Sequence, residues 1–300
     1  MEIVCYTSNT LSEFVMQVCQ IKNQLIHDGN ECNKSILFRG QANEAFELLP
    51  SIARSVSIRN LIPEERNLIE LAMLKLPEVF KDTMRPLERL ALLQHYGIPT
   101  RLLDVTENAL VALYFACCSN NDNDGEVVIF KSNDSKVTPL PISEAICDSY
   151  RFATSGTFLA DFYDNIINQP YYLEHRLLHE SSITTSSQKT LWIEQYCDKP
   201  HFTYAPIRSL RQQAQQGRYL LFANDYNPIS SSEAFFEAAI APIGKNDDSL
   251  IVGRIQIPSD TKKSLLHDLD MFGINKSSLF CDSIETICSE IKDLCVSKFL

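Results

Sequence analysis

The stretch at residues 87–116 constrains the fold more than any other part of this chain, because it places two helical patterns around a short polar link. The first pattern begins at Pro86, which suits the first helical position because the N–H that it lacks would have no partner there. Gly97 can adopt the left-handed conformation that ends a helix, and Pro99 prevents the helix from continuing. The sequence therefore predicts a helix that has His95 in its last turn.

The second pattern, at residues 109–118, is almost wholly apolar, as is typical of a buried helix. Two core helices would hold the link at residues 98–108 at both ends. The polar side chains in and next to this link are His95, Tyr96, Thr100, Arg101, Asp104, Thr106, Glu107 and Asn108. Polar groups on a short link between rigid helices indicate a binding or catalytic site. They also fit a simpler interpretation, in which they only cap the second helix.

Strand patterns and helical patterns are interspersed along the rest of the chain. Strand patterns occur at residues 35–38, 126–131, 218–223 and 249–257. Helical periodicity occurs at residues 11–27, 63–80 and 258–272. Residues 132–200 contain no motif that we can interpret. No repeat or low-complexity linker divides the chain, so we expect a single α+β domain over residues 1–300, with helices packed on a small mixed sheet.

The composition argues against two classes of partner. The formal net charge is −11 and the calculated pI is about 5.1, whereas non-specific binding to nucleic acid needs Lys and Arg to neutralise phosphates. No apolar run approaches the length of roughly 20 residues that spans a bilayer, and the N-terminus has no signal-peptide pattern. The ten cysteines include no C-x-x-C pair, so we expect free thiols, which suit a reducing compartment. Together with the missing apolar span and signal-peptide pattern, this predicts a cytoplasmic protein without membrane contact.

Four short motifs, in this order and spacing, resemble the FRG domain family, which is named after its Phe-Arg-Gly motif. They are LFRGQ at residues 37–41, HYGIPTRLLDVT at 95–106, R-x-x-A-Q-x-G-x-Y at 211–219 and L-F-x-D at 279–282. The chain departs from the family pattern at Tyr219, where a Phe is expected, and at Cys281, where a Pro is expected. The resemblance extends from about residue 11 to residue 292. It implies a protein of bacteria or their mobile elements.

Arg39 is the first candidate ligand-binding residue, and Gln41 in the same motif is the second. Arg39 follows a short buried strand and precedes Gly40, which would let a backbone approach closely. A guanidinium there can bind a phosphate or a carboxylate through two hydrogen bonds. The pattern also resembles the first motif of ADP-ribosyltransferase folds, in which an early Arg holds phosphates or ribose. The alternative is a structural salt bridge between Arg39 and an acid in the core.

His95 and Asp104 are candidate catalytic residues of the central motif. His95 would act as a general base or bind a ribose hydroxyl; alternatively, it only bonds carbonyl groups in the last helical turn. Asp104 also has two interpretations, because D-x-x-E resembles a capping box for the second helix. Thr106 or Asn108 can provide that cap instead. Arg101, three residues before Asp104, can pair with it.

Arg211 and Gln215 lie before a glycine and a strand pattern. In the transferase analogy, a late strand brings a catalytic glutamate that stabilises the oxocarbenium-like ribose. This motif offers Gln215 in place of the acid, and a neutral amide can bind a ribose hydroxyl but cannot balance a developing cation. Acids that lie elsewhere, without supporting spacing, are Glu194, Asp225 and Glu233.

Other reaction classes have less support. The chain lacks the phosphate-binding loop G-x-x-x-x-G-K-[ST], the dinucleotide motif G-x-G-x-x-G and the nucleophile elbow G-x-S-x-G. His175 and His179 have a spacing that suits two metal ligands on one helix face. The H-E-x-x-H order is absent, so we predict no metal site.

We therefore predict an enzyme that acts on a nucleotide-type ligand, with NAD as the candidate substrate and ADP-ribosyl transfer or NAD hydrolysis as the reaction, in a phage-defence or toxin system. The predicted catalytic residues are His95, Asp104 and Gln215, and the predicted ligand-binding residues are Arg39, Gln41, Arg101, Thr106 and Arg211. The alternative is a non-catalytic module that binds a nucleotide or a structured nucleic acid through Arg39, Arg101 and Arg211. In a third interpretation, all four motifs are scaffold.

Overall fold

The computed structural model describes residues 2–27, 35–54, 60–132, 141–174, 182–206, 209–230 and 233–281. The strands within these ranges are β1 (Val4–Thr7), β2 (Ser35–Gln41), β3 (Leu102–Thr106), β4 (Gly125–Ser132), β5 (His201–Thr203), β6 (Gly217–Leu221), β7 (Tyr226–Ser230), β8 (Glu233–Phe236) and β9 (Ile251–Ile257). The helices are α1 (Leu11–His27), α2 (Glu65–Lys75), α3 (Pro86–His95), α4 (Ala109–Cys117), α5 (Pro141–Cys147), α6 (Leu159–Ile166), α7 (Pro170–Leu173), α8 (Ser186–Cys197), α9 (Leu210–Ala214), α10 (Lys262–Met271) and α11 (Lys276–Leu279). His175, His179 and Asp282 lie outside the described residues.

Seven strands form one mixed sheet in the order β1-β9-β4-β2-β3-β6-β5. β1 runs parallel to β9, and the other neighbouring pairs in this sheet are antiparallel. β7 and β8 form a separate two-stranded sheet. The predicted α+β class and mixed sheet are confirmed, although the sheet is larger than we expected. No helix in the described ranges is long and apolar enough to cross a membrane.

Apolar side chains cover both faces of the sheet. On one face, Phe38 and Val127 pack against α1, α4 and α10. On the other face, Leu37 and Val128 pack against chain segments that include residues 48–53 and 240–251. A third cluster joins α3, α5, α6 and α8 to β3 and β6. Because central strands are buried on both faces, they show continuous apolar runs instead of strict alternation.

Helix α4 packs directly on the backbone of the central strands. A Cβ atom at position 40 would lie 1.8 Å from the carbonyl oxygen of Ala112, and one at position 125 would lie 2.3 Å from that of Ala116. Gly40 and Gly125 are therefore required by the close approach of this helix. The sequence analysis expected a backbone to approach Gly40 closely, and the backbone that does so is that of α4.

The polar link at residues 98–108 contains a strand that its sequence pattern did not predict. This strand, β3, lies between β2 and β6, and four of its five residues are buried; Asp104 is the exposed one. Five residues, of which four are buried, give a signal too short to separate from a loop. The predicted end of α3 is confirmed, since His95 is its last residue and Gly97 has a φ of 82°.

Candidate active site

One cleft of about 260 Å³ brings together six of the eight predicted site residues. The six are Arg39, His95, Asp104, Thr106, Arg211 and Gln215. Further polar groups come from Gln94, Ser209, Gln212 and Tyr219, and apolar walls come from Phe38, Val111 and Phe115. Three parts of the chain, residues 38–40, 94–115 and 209–219, meet at this cleft. Gln41 and Arg101 lie elsewhere.

Neighbouring strands hold the charged groups of the cleft together. Asp104 in β3 is paired with Tyr219 in β6, and the pair Phe38 and Thr106 joins β2 to β3. Arg39 extends from β2 to β3, where its Nη1 donates a 2.6 Å hydrogen bond to the carbonyl oxygen of Asp104. This contact fixes the guanidinium beside Asp104 without occupying the carboxylate.

The guanidinium of Arg39 has unused capacity to bind an anion. Its Nε is buried without a hydrogen-bond partner, and no carboxylate oxygen in the described ranges lies within 4.0 Å of the guanidinium. Burial lowers the pKa of Arg39 to about 10; Asp104 opposes this change and Arg54 adds to it. A buried charge without a paired ion is costly, so an anion that enters the cleft would be bound favourably.

The carboxylate of Asp104 opens into the cleft. Its Oδ1 accepts a 2.7 Å hydrogen bond from Gln94 Nε2, and the residue stays exposed to solvent. The cleft walls remove part of the hydration of the carboxyl group, and this burial raises its pKa; Arg39, Gln94 and Arg211 act in the opposite direction. A raised pKa brings a carboxyl group closer to the range in which it can exchange protons at neutral pH.

His95 and Arg211 line the cleft from two different helices. His95 is half-buried in the last turn of α3, and its ring lies edge-on to that of Tyr96 with centroids 5.1 Å apart. Arg211 in α9 stacks its guanidinium on Phe280, 4.5 Å from the ring centroid. Stacking on an aromatic ring orders a guanidinium and is compatible with hydrogen bonds along its edge.

Thr106 and Gln215 make hydrogen bonds that shape the cleft wall. Thr106 Oγ1 donates to the carbonyl oxygen of Gln215 at 2.6 Å and accepts from the backbone N–H of Asn108 at 3.0 Å. Gln215 Nε2 donates to the carbonyl oxygen of Leu279 at 3.0 Å. These bonds fasten the end of β3 to the turn after α9, and that turn to α11. A ligand that forms hydrogen bonds with the side chain of Thr106 or Gln215 would compete with these bonds in the cleft wall.

Asp104 does not cap helix α4. Asn108 is the cap: its Oδ1 accepts hydrogen bonds from the backbone N–H groups of Leu110 at 3.0 Å and Val111 at 3.4 Å. Asp104 lies in the middle of β3, four residues earlier. The capping interpretation of Asp104 is therefore wrong, and the alternative cap at Asn108 is confirmed. Helix capping therefore does not explain why β3, an otherwise buried strand, carries the exposed carboxylate of Asp104.

Arg101 is sealed inside the protein, so its predicted ligand-binding role is wrong. It is 1% exposed, and its guanidinium forms an ion pair with Glu65 in which Nε lies 2.8 Å from Oε1. Its Nη1 also donates to the carbonyl oxygen of Phe222 and to Oδ1 of Asn224. Burial opposes the charged form of Arg101, but Glu65 outweighs burial and the pKa is raised. Because Arg101 is paired with Glu65 in the core, the expected ion pair between Arg101 and Asp104 does not form.

The structure removes a second predicted ligand residue and adds two residues to the cleft. Gln41 is 4% exposed and donates through Nε2 to the carbonyl oxygen of Glu47 at 3.3 Å, away from the cleft. Gln94 and Tyr219 are the additions. Gln94 is the residue directly before His95 in α3. Tyr219 was noted only as a departure from the family pattern, and its burial, followed by the effect of Asp104, raises its pKa.

Comparison with known protein families gives a match over part of the chain. The family model called FRG domain matches residues 34–125. The chain contains an FRG domain. The matched region includes Arg39, His95 and Asp104, whereas Arg211 and Gln215 of the same cleft lie beyond it. No curated protein and no solved structure matches the chain. Within the described ranges, no group of three or more His, Cys, Asp or Glu side chains could hold a metal ion.

Proposed function

We propose that the cleft binds a nucleotide and that this FRG-domain protein is an enzyme that cleaves NAD, by ADP-ribosyl transfer or by hydrolysis. One observation carries the proposal: the carboxylate of Asp104 faces an open cleft whose walls also bear Arg39 and Arg211. A carboxylate can stabilise a cationic ribose, while nearby guanidinium groups bind the phosphates of the same molecule. This combination suits the cleavage of NAD.

Asp104 takes the place of the acid that the motif around Gln215 lacks. The transferase analogy requires an acid on a strand close to the arginine, and β3 provides one opposite Tyr219. In the proposed reaction, the bond between the ribose C1′ and the nicotinamide nitrogen breaks and its electron pair stays on nicotinamide. Water or an acceptor hydroxyl then attacks C1′ and transfers its proton to His95. Asp104 stabilises the positive charge that develops on the ribose.

The size and lining of the cleft fit one half of a dinucleotide. Its volume of about 260 Å³ lies just below the range of about 300–1,000 Å³ that is common for pockets enclosing whole ligands. Phe38, Phe115 and Tyr219 offer apolar and aromatic surface for a flat ring beside the arginines. The reacting half of NAD would enter, and the other half would extend into solvent. A cytoplasmic NAD-consuming activity would suit a toxin or phage-defence system.

The test is nicotinamide release from NAD, combined with the shift in thermal unfolding temperature that NAD produces. We expect Asp104→Asn to lower kcat by at least about 100-fold, the size of a lost electrostatic contact in a transition state. Arg39→Ala should mainly raise KM, because it removes phosphate binding. Arg66→Ala and Asp161→Asn, two exposed positions outside the cleft, are the matched controls. No release and no thermal shift for the wild-type protein would refute the proposal, as would unchanged turnover in Asp104→Asn.

A second candidate function is binding of a nucleotide without turnover. The observation that favours it is the engagement of Thr106 and Gln215 in structural hydrogen bonds, which leaves fewer side chains for catalysis. In that case NAD or ADP-ribose would raise the unfolding temperature, Arg39→Ala would abolish the increase, and no nicotinamide would be released. Recognition of a structured nucleic acid has less support, because Arg101 is buried and cannot contribute.

A further inference from the structure

The side chain of Gln94 connects the cleft carboxylate to the scaffold. Its Nε2 donates to Oδ1 of Asp104 at 2.7 Å, and its Oε1 accepts from the hydroxyl of Thr100 at 2.5 Å. Thr100 is 1% exposed. One amide therefore bridges an exposed acid and a buried hydroxyl, from the last turn of α3.

Asp104 and Thr100 together determine which way the Gln94 amide points. The Thr100 hydroxyl accepts from the backbone N–H of Leu102 at 3.2 Å, so its single proton is free to donate to Gln94 Oε1. Because the ionised carboxylate of Asp104 can only accept hydrogen bonds, the donor Nε2 faces Asp104 and Oε1 is left to accept from Thr100. Thr100 itself is held by the 3₁₀ turn that begins at Ser51: its N–H donates to Ser51 Oγ at 3.2 Å, and its carbonyl oxygen accepts from Ile52.

We propose that Gln94 is a positioning residue for Asp104, and that the hydroxyl of Thr100 holds the Gln94 amide in place. Gln94 fixes Oδ1 of Asp104 by a hydrogen bond. Oδ2, which has no hydrogen-bond partner in the described part of the chain, is left to face a ligand. The orientation of the acid depends on this relay whatever the ligand is; the catalytic consequence alone rests on the proposed function.

Other charged and titratable groups lie around Asp104 on neighbouring elements. They are Arg39 in β2, Arg54 after the turn at residues 51–53, Arg211 in α9, Tyr219 in β6 and His95 in α3. Replacement of Gln94 or Thr100 by an apolar residue of similar size leaves each of these groups in place. A change in the titration of Asp104 in such a variant therefore reports on the relay.

The experiment is an NMR titration of the Asp104 carboxyl group in protein labelled with carbon-13 at the aspartate carboxyl carbon. Asp104→Asn identifies the resonance. We expect Gln94→Met to shift the Asp104 titration to higher pH, because a hydrogen bond to the charged form is lost. Thr100→Val should produce a shift in the same direction, and Thr100→Ser should restore the wild-type titration. Gln195→Met, which removes an amide on α8 outside the cleft, should have no effect.

Two results would overturn the inference. An Asp104 titration in Gln94→Met that coincides with the wild-type titration would show that Gln94 does not position the acid. A Thr100→Ser variant that titrates like Thr100→Val would show that the hydroxyl does not hold the amide in place. Thermal unfolding of each variant establishes that it is folded before it is titrated. None of these outcomes requires NAD turnover, so they remain decisive if the proposed reaction is wrong.

If NAD is the substrate, the same variants separate positioning from binding. Gln94→Met should lower kcat roughly tenfold, which corresponds to the loss of one hydrogen bond to a charged group, and should leave KM nearly unchanged. The acidic limb of its kcat profile should move to higher pH with the NMR titration. A larger KM with the wild-type kcat would instead make Gln94 a ligand-binding residue.

Discussion

Replacement of Arg101 by Met is the sharpest test of the distinction between scaffold and site. The change removes the cation of a buried ion pair and leaves the carboxylate of Glu65, which is 4% exposed, without its partner. Breaking a buried pair from one side costs roughly 3–5 kcal/mol, because an uncompensated charge stays in a low-dielectric interior. The carbonyl oxygen of Phe222 and Oδ1 of Asn224 lose their donor as well. We therefore expect a loss near the upper end, about 5 kcal/mol.

The assay is urea unfolding followed by circular dichroism, with a second variant and a control. The double variant Arg101→Met with Glu65→Leu should recover most of the loss, since apolar residues of similar volume often replace a buried pair without cost. Arg66→Met breaks the exposed pair with Glu70 and should cost less than about 1 kcal/mol. The three values together separate the cost of an unpaired buried charge from that of a lost arginine.

One pattern of results would refute this reasoning. If Arg101→Met were as stable as Arg66→Met and yet lost the thermal shift with NAD, Arg101 would be a ligand residue after all. A double variant no more stable than the single one would show that the unpaired carboxylate of Glu65 is not the source of the loss.

Three further predictions concern the candidate site and its supports. Asp104→Asn should leave the free energy of unfolding at neutral pH unchanged or raise it, because a carboxyl group whose pKa is raised by folding destabilises the fold when it is ionised. The difference between the variant and the wild type should vanish below about pH 3.9, the ordinary pKa of Asp. A clear loss of stability in the variant at neutral pH would contradict this prediction. Gly40→Ala should cost several kcal/mol in chemical unfolding because its Cβ would meet the carbonyl oxygen of Ala112, whereas Gly244→Ala, with open space around it, should cost less than about 0.5 kcal/mol. Asn108→Ala should cost about 1 kcal/mol by loss of the helix cap, and an unchanged midpoint would show that the cap contributes nothing.

The central motif could be interpreted from sequence because its signals are local. Pro86 and Gly97 mark the ends of a helix through their own backbone preferences, and the apolar run at residues 109–118 identifies a buried helix without knowledge of its neighbours. Arg39 and His95 belong to two separate motifs and were predicted to serve one site, and the structure brings them together in one cleft. The roles of these residues stay predictions until the assays are done.

The sequence misassigned residues whose roles depend on distant partners. Arg101 and Asp104 are three residues apart in one motif, yet one pairs with Glu65 in the core and the other faces the cleft. No local pattern separates them, because the faces that they occupy depend on β3, a strand that was not predicted. Gln94 was missed for a related reason: its partner Asp104 is ten residues away across a turn.

Local sequence signals were enough to predict the helices on either side of the central motif, the FRG resemblance and the types of polar group that the site would contain. Those features follow from backbone preferences and from chemistry carried by single residues. Only in the folded protein is it apparent that Arg101 is buried with an acid whereas Arg39 lines the cleft, and that residue 40 must be glycine. The physical reason is that burial, ion pairing and the approach of a helix to a strand depend on surfaces contributed by residues far apart in the chain.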